Sequence, residues 1–417
     1  MAVDPDWTVE FDRWVEPFLA ALGNKKRRLW GPVYMRGLIL PGERKSIEPM
    51  AARVAPGHKE ELHHFIAVAE WDQAALETVL AAKANGLVGD KDAALIVDDT
   101  AIPKKGRLSV GVAHQYCGEL GKNANCQALV SLSLARGEVP ICLGLRLYLP
   151  EEWVGDRGRR KRCGVPKEIG FRTKPEIALD EIDRVIAQGV HFGEVLADAG
   201  YGASADFRHG LSGRGLRWTV GIQGTQRVYG AGVRLVPPPR SSARGRPRTR
   251  PIPSEAPIQA RRLLAGQRWR KITWRRGTKG PLSAHFAAVR VRVADGGHPD
   301  RHGQPLPSDE KVWLIGERRP SGETKYHLSN RPAKTPLRTL ASAIKARWVC
   351  EQPHQQMKEE LGLGHYEGRS WQGLHHHALL CQIAYAFLQH LRLRGKKNGA
   401  SGRGRRPGPR SPRSAAA

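Results

Sequence analysis

Three carboxylates stand at positions from which they could act together on a phosphodiester. Asp99 and Asp198 each close a short apolar run that is typical of a buried strand, and Glu351 follows a helix start expected near Pro336. Ligands of open α/β sheets bind outside the carboxyl ends of the strands. Carboxylate oxygens suit Mg²⁺ or Mn²⁺. Two such ions can activate an attacking oxygen and stabilise a leaving oxygen.

The first of these acids has a neighbour that is an alternative ligand. Asp98 directly precedes Asp99, and adjacent residues of a strand point to opposite faces of the sheet, so only one of the two can face a given ion. A single Asp at a strand end is also more often a cap or a turn residue than a catalytic group. The residues alone therefore leave both acids open.

Two basic residues accompany the third acid. Arg347 lies four residues before Glu351 and Lys358 seven residues after it, offsets that place all three on one face of an α-helix. On that face the acid would bind metal while the bases bind DNA phosphates. A surface ladder of salt bridges is the alternative. Pro353 is expected to kink or restart this helix.

A basic segment with aromatic side chains is a second candidate for DNA binding. Trp269 and Trp274 are interleaved with Arg and Lys residues. Aromatic rings stack on unpaired bases while the basic groups hold phosphates. The alternative is that both tryptophans belong to the core of a β-rich segment.

The charge balance of the chain points to a polyanionic partner. The 417 residues include 68 Lys and Arg against 40 Asp and Glu, a net charge of +28. DNA or RNA is the natural partner, a membrane surface comes second, and a merely solubilising surface is the alternative. The absence of an apolar run of about 18 residues argues against a membrane span. The polar start and the six scattered cysteines favour a reducing cytoplasm over secretion.

Other motifs are given ordinary roles. The spacing of His375, His376 and His377 matches no zinc pattern, so we expect polar positions on the terminal helices, some of them near DNA. The turn 200–202 lacks the Lys-Ser/Thr pair of a phosphate loop, so no ATP site is expected.

Apolar periodicity divides the chain into five parts and predicts an α/β fold. The first part contains predicted helices over Val9–Leu22 and Lys59–Ala84. The parts are a helical N-terminal unit with possible DNA binding (1–88), an α/β part with several strands (89–223), a β-rich insertion that includes a Pro- and Arg-rich link (224–334), a helical part (335–394) and a basic tail expected to be disordered (395–417).

Three motifs, in order, resemble the catalytic motifs of bacterial insertion-sequence transposases of the DDE class. The first is Val97–Gly106, in which the Asp directly before Thr100 matches the family pattern and selects Asp99. The second is Leu196–Gly202, which contains Asp198. The third joins Arg347, Glu351 and Lys358 in a Y-R-E-K type signature. The resemblance covers roughly residues 25 to 390.

This resemblance implies an RNase H-like catalytic core that is interrupted by the β-rich insertion. It also implies cut-and-paste transposition, with two Mg²⁺ or Mn²⁺ ions on Asp99, Asp198 and Glu351. The expected partners are terminal inverted repeats and target DNA, bound by a homodimer in the bacterial cytoplasm at the nucleoid. Ile344 stands where the signature has Tyr, so the family's role for that Tyr does not carry over.

Two rival functions remain on the same core. One is a DNA nuclease without strand transfer, and the other is a catalytically silent DNA-binding regulator. The presence of all three carboxylates argues against the silent regulator.

Overall fold

Five helices precede the first strand in the computed structural model, which describes residues 7–237, 251–277, 280–296 and 305–401. They are α1 Trp7–Leu22, α2 Lys25–Ile39, α3 Ile47–Val54, α4 Lys59–Ala67 and α5 Gln73–Val88. The prediction of one helix over Lys59–Ala84 is wrong, because α4 and α5 share that stretch. Asp72 accepts a hydrogen bond from the backbone N–H of Ala74 at 2.9 Å. Such a cap begins a new helix.

A mixed sheet forms the centre of the molecule. Its first strands are β1 Ala94–Pro103, β2 Ala113–Cys117, β3 Lys122–Arg136, β4 Val139–Leu147, β5 Glu194–Ala197 and β6 Trp218–Ile222. Neighbouring strands follow the order β4-β3-β1-β5-β6, in which β4, β3 and β1 pair antiparallel and β1, β5 and β6 pair parallel. Three antiparallel strands followed by two parallel ones form the RNase H-like arrangement. The predicted α/β fold class with an RNase H-like core is confirmed.

The first acidic motif does not end its strand, so that prediction is wrong. β1 continues through Asp98 and Asp99 to Pro103, because the long antiparallel strand β3 pairs with it as far as Cys126. The parallel neighbour β5 stops earlier, with Ala197 opposite Val97. Both acids therefore lie just beyond the carboxyl end of β5, where β1 has β3 as a neighbour but no longer has β5.

The insertion contributes eight described strands, most of which continue the same sheet. They are β7 Arg227–Gly230, β8 Leu235–Val236, β9 Ile252–Pro253, β10 Ile258–Gln259, β11 Arg270–Gly277, β12 Gly280–Val293, β13 Lys311–Arg318 and β14 Thr324–Ser329, with α11 Ala260–Ala265 between β10 and β11. β14 pairs antiparallel with β6, and β13, β12 and β7 follow outward from it. The short pair β8–β9 forms its own small sheet. The insertion is thus joined edge to edge to the core.

Helices cover the two faces of the sheet. Between β4 and β6 they are α6 Glu151–Gly155, α7 Arg157–Cys163, α8 Lys174–Ala187, α9 Ala199–Gly202 and α10 Ala205–Gly213, and after β14 they are α12 Leu337–Ala346, α13 Glu351–Glu359 and α14 Trp371–Ser401. None of the described helices carries an apolar stretch long enough to cross a bilayer. α14 runs past the predicted start of the tail at residue 395, and residues 402–417 lie outside the described part of the chain.

A buried ion-pair network ties the N-terminal helices to the sheet. Arg146 on β4 donates to Glu181 on α8 at 2.7 Å and to Glu77 on α5 at 2.5 Å and 2.8 Å. Arg184 reaches the same two carboxylates. All four side chains are largely buried, so breaking one pair would leave an uncompensated charge inside the protein.

The three consecutive histidines on α14 are buried core residues. His376 stacks on Trp71 with ring centroids 3.6 Å apart and contacts the carbonyl of Ile66 at 3.1 Å. His377 contacts the hydroxyl of Tyr34 at 2.9 Å. Burial lowers the pKa of His376 to about 3 and the pKa values of His375 and His377 to about 4. All three are therefore neutral in the folded protein near pH 7.

These neutral histidines predict that the protein loses stability in mild acid. Below a pH of about 6.5, histidines of the unfolded chain take up protons that the folded chain does not bind. Unfolding should therefore become easier as the pH falls from 6.5 towards 5, by up to about 1.4 kcal/mol per pH unit for each buried histidine. Urea unfolding at several pH values measures this slope. A flat unfolding free energy over this range would contradict the assignment.

Two variants separate the buried histidines from exposed ones. The His376→Gln variant should have a smaller slope by up to about 1.4 kcal/mol per pH unit, because one titrating group is gone. The His63→Gln variant, changed at an exposed position of α4, should keep the parent slope.

Candidate active site

A cavity of about 1010 Å³ opens where β1, β5 and α13 meet. Asp99, Asp198 and Glu351 all line it, together with Asp98 and Lys358. The fold thus brings the three predicted acids, which lie far apart in the sequence, to the wall of one cavity.

Asp198 is held by the helix that follows it. It comes directly after β5 and caps α9, accepting hydrogen bonds from the backbone N–H groups of Gly200 at 2.9 Å and Tyr201 at 3.3 Å. Burial raises the pKa of this carboxyl, and the nearby charges of Asp98 and Asp99 raise it further, against the opposing effect of Arg347. The carboxyl of Asp198 therefore holds its proton more tightly than an isolated Asp does, because burial and the neighbouring carboxylates both disfavour its ionised form.

Asp98 faces the 3₁₀ turn that precedes α13 and accepts hydrogen bonds from three groups of the protein. Its carboxylate accepts from the guanidinium of Arg347 at 2.8 Å, from the thiol of Cys350 at 2.9 Å and from the backbone N–H of Asp99 at 2.9 Å. Burial opposes the charged form of Arg347, but Asp98, Cys350, Asp198 and Glu351 together outweigh it and raise the pKa of the guanidinium. These contacts fix the 3₁₀ turn Arg347–Cys350 against the sheet.

Asp99 has a different set of partners. It accepts hydrogen bonds from the ammonium of Lys174, at the start of α8, and from the hydroxyl of Tyr201. Burial raises the pKa of Tyr201 well above its usual value, and the charge of Asp99 adds to this, so the hydroxyl stays a donor. Asp99 is about one-third exposed, at 34% of its side-chain surface, so it faces the cavity more openly than Asp98 at 16%.

Glu351 and Lys358 share the cavity, but Arg347 does not share their helix. Glu351 is the exposed first residue of α13, and Lys358 lies two turns on, where it pairs with Glu119 at 2.8 Å. Arg347 belongs to the preceding 3₁₀ turn and lines a neighbouring cavity that also contains Asp198. The prediction of one helical face for all three is wrong, because the helix restarts at Glu351. The expectation that Pro353 displaces Lys358 and leaves Arg347 with Glu351 is also wrong, because the restart comes before Glu351. Pro353 lies in the first turn of α13, where its missing N–H leaves no gap.

Sequence reasoning missed the partners of the acids. Lys174, Tyr201 and Cys350 contact Asp99 or Asp98 directly. Tyr201 could have been found, because it lies one helical turn after Asp198. Lys174 lies 75 residues from Asp99, and no sequence signal joins the two.

The donor chemistry of the cavity fits a hard divalent cation. Asp98, Asp99, Asp198 and Glu351 present carboxylate oxygens to it, and burial together with the charges of Asp98 and Asp99 raises the pKa of Asp198, an effect that a bound cation would oppose. As the described side chains stand, no three His, Cys, Asp or Glu residues are grouped closely enough to hold an ion. Lys174 and Arg347 instead provide the countercharges for Asp99 and Asp98.

The two predicted DNA-binding tryptophans lie in the insertion, away from this cavity. Trp269 is half-buried, with the guanidinium of Arg318 4.4 Å from its ring centre. Trp274 packs edge-to-face on Phe286 at 6.1 Å, and the ammonium of Lys345 lies 4.6 Å from its ring. Trp274 also joins the apolar cluster between β11, β12 and α12. This packing favours the core alternative, while a DNA contact by either ring stays a prediction.

The packing of Trp274 predicts a stability defect in the Trp274→Ala variant. Removal of the half-buried ring should lower the free energy of unfolding by roughly 2 kcal/mol, less than for a fully buried Trp. Cutting of paired and mismatched DNA ends should then fall equally. Trp348→Ala, a change at an exposed ring, serves as the control for melting temperature. A selective loss on paired ends with an unchanged melting temperature would instead assign Trp274 to DNA.

Comparison with known proteins places these acids in a family context. A family model described as DDE superfamily endonuclease matches residues 17–281, which include Asp99 and Asp198 but end before Glu351. The chain is also 30% identical over 195 residues to the "Probable transposase for insertion sequence element IS701" of Microchaete diplosiphon. That match spans 46% of this chain and 48% of the relative, about half of its length.

A solved structure aligns with this chain at much lower identity. The piggyBac transposase in a synaptic complex with hairpin DNA aligns over 95% of this chain and 74% of its own, with 9% identity and a TM-score of 0.44. That likeness is too distant to support a conclusion about fold or function. Because the family model matches more than half of the chain, the protein belongs to the DDE superfamily endonuclease family.

Proposed function

We propose that this protein is a transposase that cuts DNA at the ends of an insertion sequence and joins those ends to target DNA. The observation that carries the proposal is the single cavity lined by Asp99, Asp198 and Glu351 at the edge of an RNase H-like sheet. Similarity to the IS701 transposase supports the same activity.

Divalent metal dependence is general in this family, and we assign the ions to Asp99, Asp198 and Glu351. Two Mg²⁺ or Mn²⁺ ions, when bound, would supply activation of the attacking oxygen and stabilisation of the leaving oxygen. Tyr201 orients the carboxylate of Asp99, and the N–H groups at the start of α9 orient that of Asp198. Oriented carboxylates reduce the rearrangement that the reaction requires.

Basic side chains around the cavity would hold the DNA backbone. Lys358 lines the cavity beside Glu351, and Arg347 lies across from Asp198. Either cation can bind a phosphate oxygen next to the cut. We assign terminal inverted repeats and target DNA as the partners, and a homodimer as the form that brings two ends together.

The two rivals differ from this proposal in their products. A nuclease would cut the ends and release them, whereas a silent regulator would only bind. The carboxylates of the cavity support an active site over a silent one, since a binding protein has no use for crowded acids whose charges repel phosphates.

Loss of a single acid should abolish cutting. Asp198→Ala and Glu351→Ala should each reduce cleavage of terminal-repeat DNA by at least about 10³-fold, because a metal ligand is gone, while DNA affinity changes little. Cleavage should require Mg²⁺ or Mn²⁺ and stop in EDTA. Gel analysis with a labelled end and a target plasmid separates joined product, cut product and a shifted band.

The control for this experiment is Glu360→Ala, which removes an equal charge from an exposed position at the end of α13. It should cut like the parent. Robust cutting by the Asp198→Ala protein would overturn the active site, and cut ends without joined product would favour the nuclease.

A matched pair of variants decides between Asp98 and Asp99. We expect Asp99→Asn to abolish cleavage while lowering the melting temperature less than Asp98→Asn does, because Asp99 is the more exposed of the two and the amide oxygen of Asn can still accept from the buried hydroxyl of Tyr201. Asp98→Asn should retain measurable cleavage but melt at a lower temperature, because the charge paired with Arg347 is lost. The opposite pattern would make Asp98 the metal ligand.

A further inference from the structure

A strongly basic surface lies beyond the carboxyl end of β1. Residues 104–107 and 157–167 together hold nine Lys and Arg residues and no Asp or Glu. The first stretch is the loop after β1, and the second is α7 with the turn that follows it. The catalytic cavity uses none of these residues.

Backbone and side-chain contacts hold the two stretches together. The guanidinium of Arg159 donates to the carbonyl of Arg107 at 3.1 Å, and the thiol of Cys163 donates to the carbonyl of Leu108 at 3.4 Å. The loop in turn receives Arg369, whose carbonyl accepts from the N–H of Val110 at 3.1 Å. α7, the loop after β1 and the loop before α14 therefore form one surface.

Some of the cations serve the architecture and fix this surface in place. Arg160 donates to the carbonyls of Pro166 at 2.8 Å and Ile169 at 2.7 Å, which folds the turn after α7. Arg159 stacks 3.8 Å from the ring centre of Trp153, a buried side chain that itself donates to Val112 at 2.8 Å. The platform is therefore anchored to the core rather than carried on a loose loop.

Four other cations of this surface are exposed and have no acidic partner among the described residues, so they are free to bind a ligand. Lys105, Arg107, Arg162 and Arg369 are exposed, and among the described residues none of them forms an ion pair with a carboxylate. Burial raises the pKa of the Cys163 thiol, and the nearby charges of Arg159, Arg162 and Arg369 oppose this rise, as is expected if all three lie close to the thiol. We call the set Lys105, Arg107, Arg162 and Arg369 the basic platform.

The position of the platform relates it to the cut. Lys104 follows Asp99 by five residues of extended chain, a span of about 17 Å at about 3.4 Å per residue. A DNA duplex rises about 3.4 Å per base pair. A duplex that lies along β1 with its cleaved phosphodiester at Asp99 would therefore reach the end of this strand, where the platform begins, about five base pairs away.

We propose that the basic platform binds the phosphates of the DNA duplex about five base pairs from the phosphodiester that is cut. This inference rests on the proposed function, because it takes the cut to occur at Asp99. Guanidinium and ammonium groups on a surface bind phosphate oxygens of the DNA backbone, which is the same in every sequence. The contact therefore positions either the element side or the flanking side of the duplex, without regard to sequence.

The salt dependence of binding tests the platform. Arg107→Ala/Arg162→Ala removes two platform charges, and Arg261→Ala/Arg262→Ala removes two exposed charges from α11, at the other end of the sheet. Binding of full-length protein to a terminal-repeat duplex is measured at several salt concentrations. A plot of log affinity against log salt concentration has a negative slope. For the platform variant this slope should become less steep by roughly 1 to 2, at about 0.9 per lost phosphate contact, and for the α11 variant it should stay unchanged. Equal changes in both would reduce the platform to an ordinary charged surface and overturn the proposal.

Chemically neutral phosphates locate the contact. Duplexes carry a methylphosphonate four to six phosphates from the cut, on the element side or on the flanking side, or fifteen phosphates away as a control. On either the element side or the flanking side, the methylphosphonate near the cut should weaken DNA binding by the parent and by the α11 variant. The platform variant already binds more weakly, and the same methylphosphonate should weaken its binding little further. Equal additional losses in all three proteins would overturn the proposal.

Failure of the proposed function gives a distinct result. A parent protein that binds these duplexes but cuts none of them would contradict the active site. The methylphosphonate experiment measures binding and not cleavage. The comparison of affinity losses between the parent and the platform variant would therefore still decide whether the platform contacts DNA.

Discussion

Repulsion between carboxylates is the constraint on which the rest of this site depends. Asp98, Asp99 and Asp198 share one cavity, and their proximity raises the pKa of Asp198 beyond the effect of burial. The chain offsets this repulsion with one cation from each side, Arg347 beside Asp98 and Lys174 beside Asp99. Removing either cation would leave a partly buried charge without its partner. Asp98 and Asp99 thus depend on countercharges that two separate segments of the chain supply.

Local features of the backbone place those two cations. Lys174 begins α8, whose start is fixed by a capping box between Thr173 and Glu176. Arg347 sits in the 3₁₀ turn that separates α12 from α13, and the same turn lets Glu351 begin a new helix at the cavity. The break in the helix therefore serves both the countercharge and the third acid. An uninterrupted helix would rotate Arg347 away from Asp98 if Glu351 kept its place.

Local patterns in the sequence predicted much of this arrangement, whereas distant pairings escaped it. The apolar runs before Asp99 and Asp198 identified β1 and β5, because hydrophobic runs are read directly from neighbouring residues. The length of β1 could not be read in this way, since it depends on pairing with β3 as far as Cys126. The burial of His376 and His377 depends on Ile66, Trp71 and Tyr34, more than 300 residues away. A run of three histidines carries no local sign of such partners.

The contact between the two ends of the chain has a consequence for synthesis of the protein. Trp7, Phe11 and Trp14 on the first helix pack on Phe387 near the end of the described chain, at centroid distances of 6.3, 5.4 and 6.0 Å. Translation adds about 5–20 residues per second, so the first helix waits on the order of 20–70 s for this partner to leave the ribosome. During that interval its aromatic face is without its final cover. A nascent chain that stops before α14 would expose these rings and would be a substrate for chaperones or proteases.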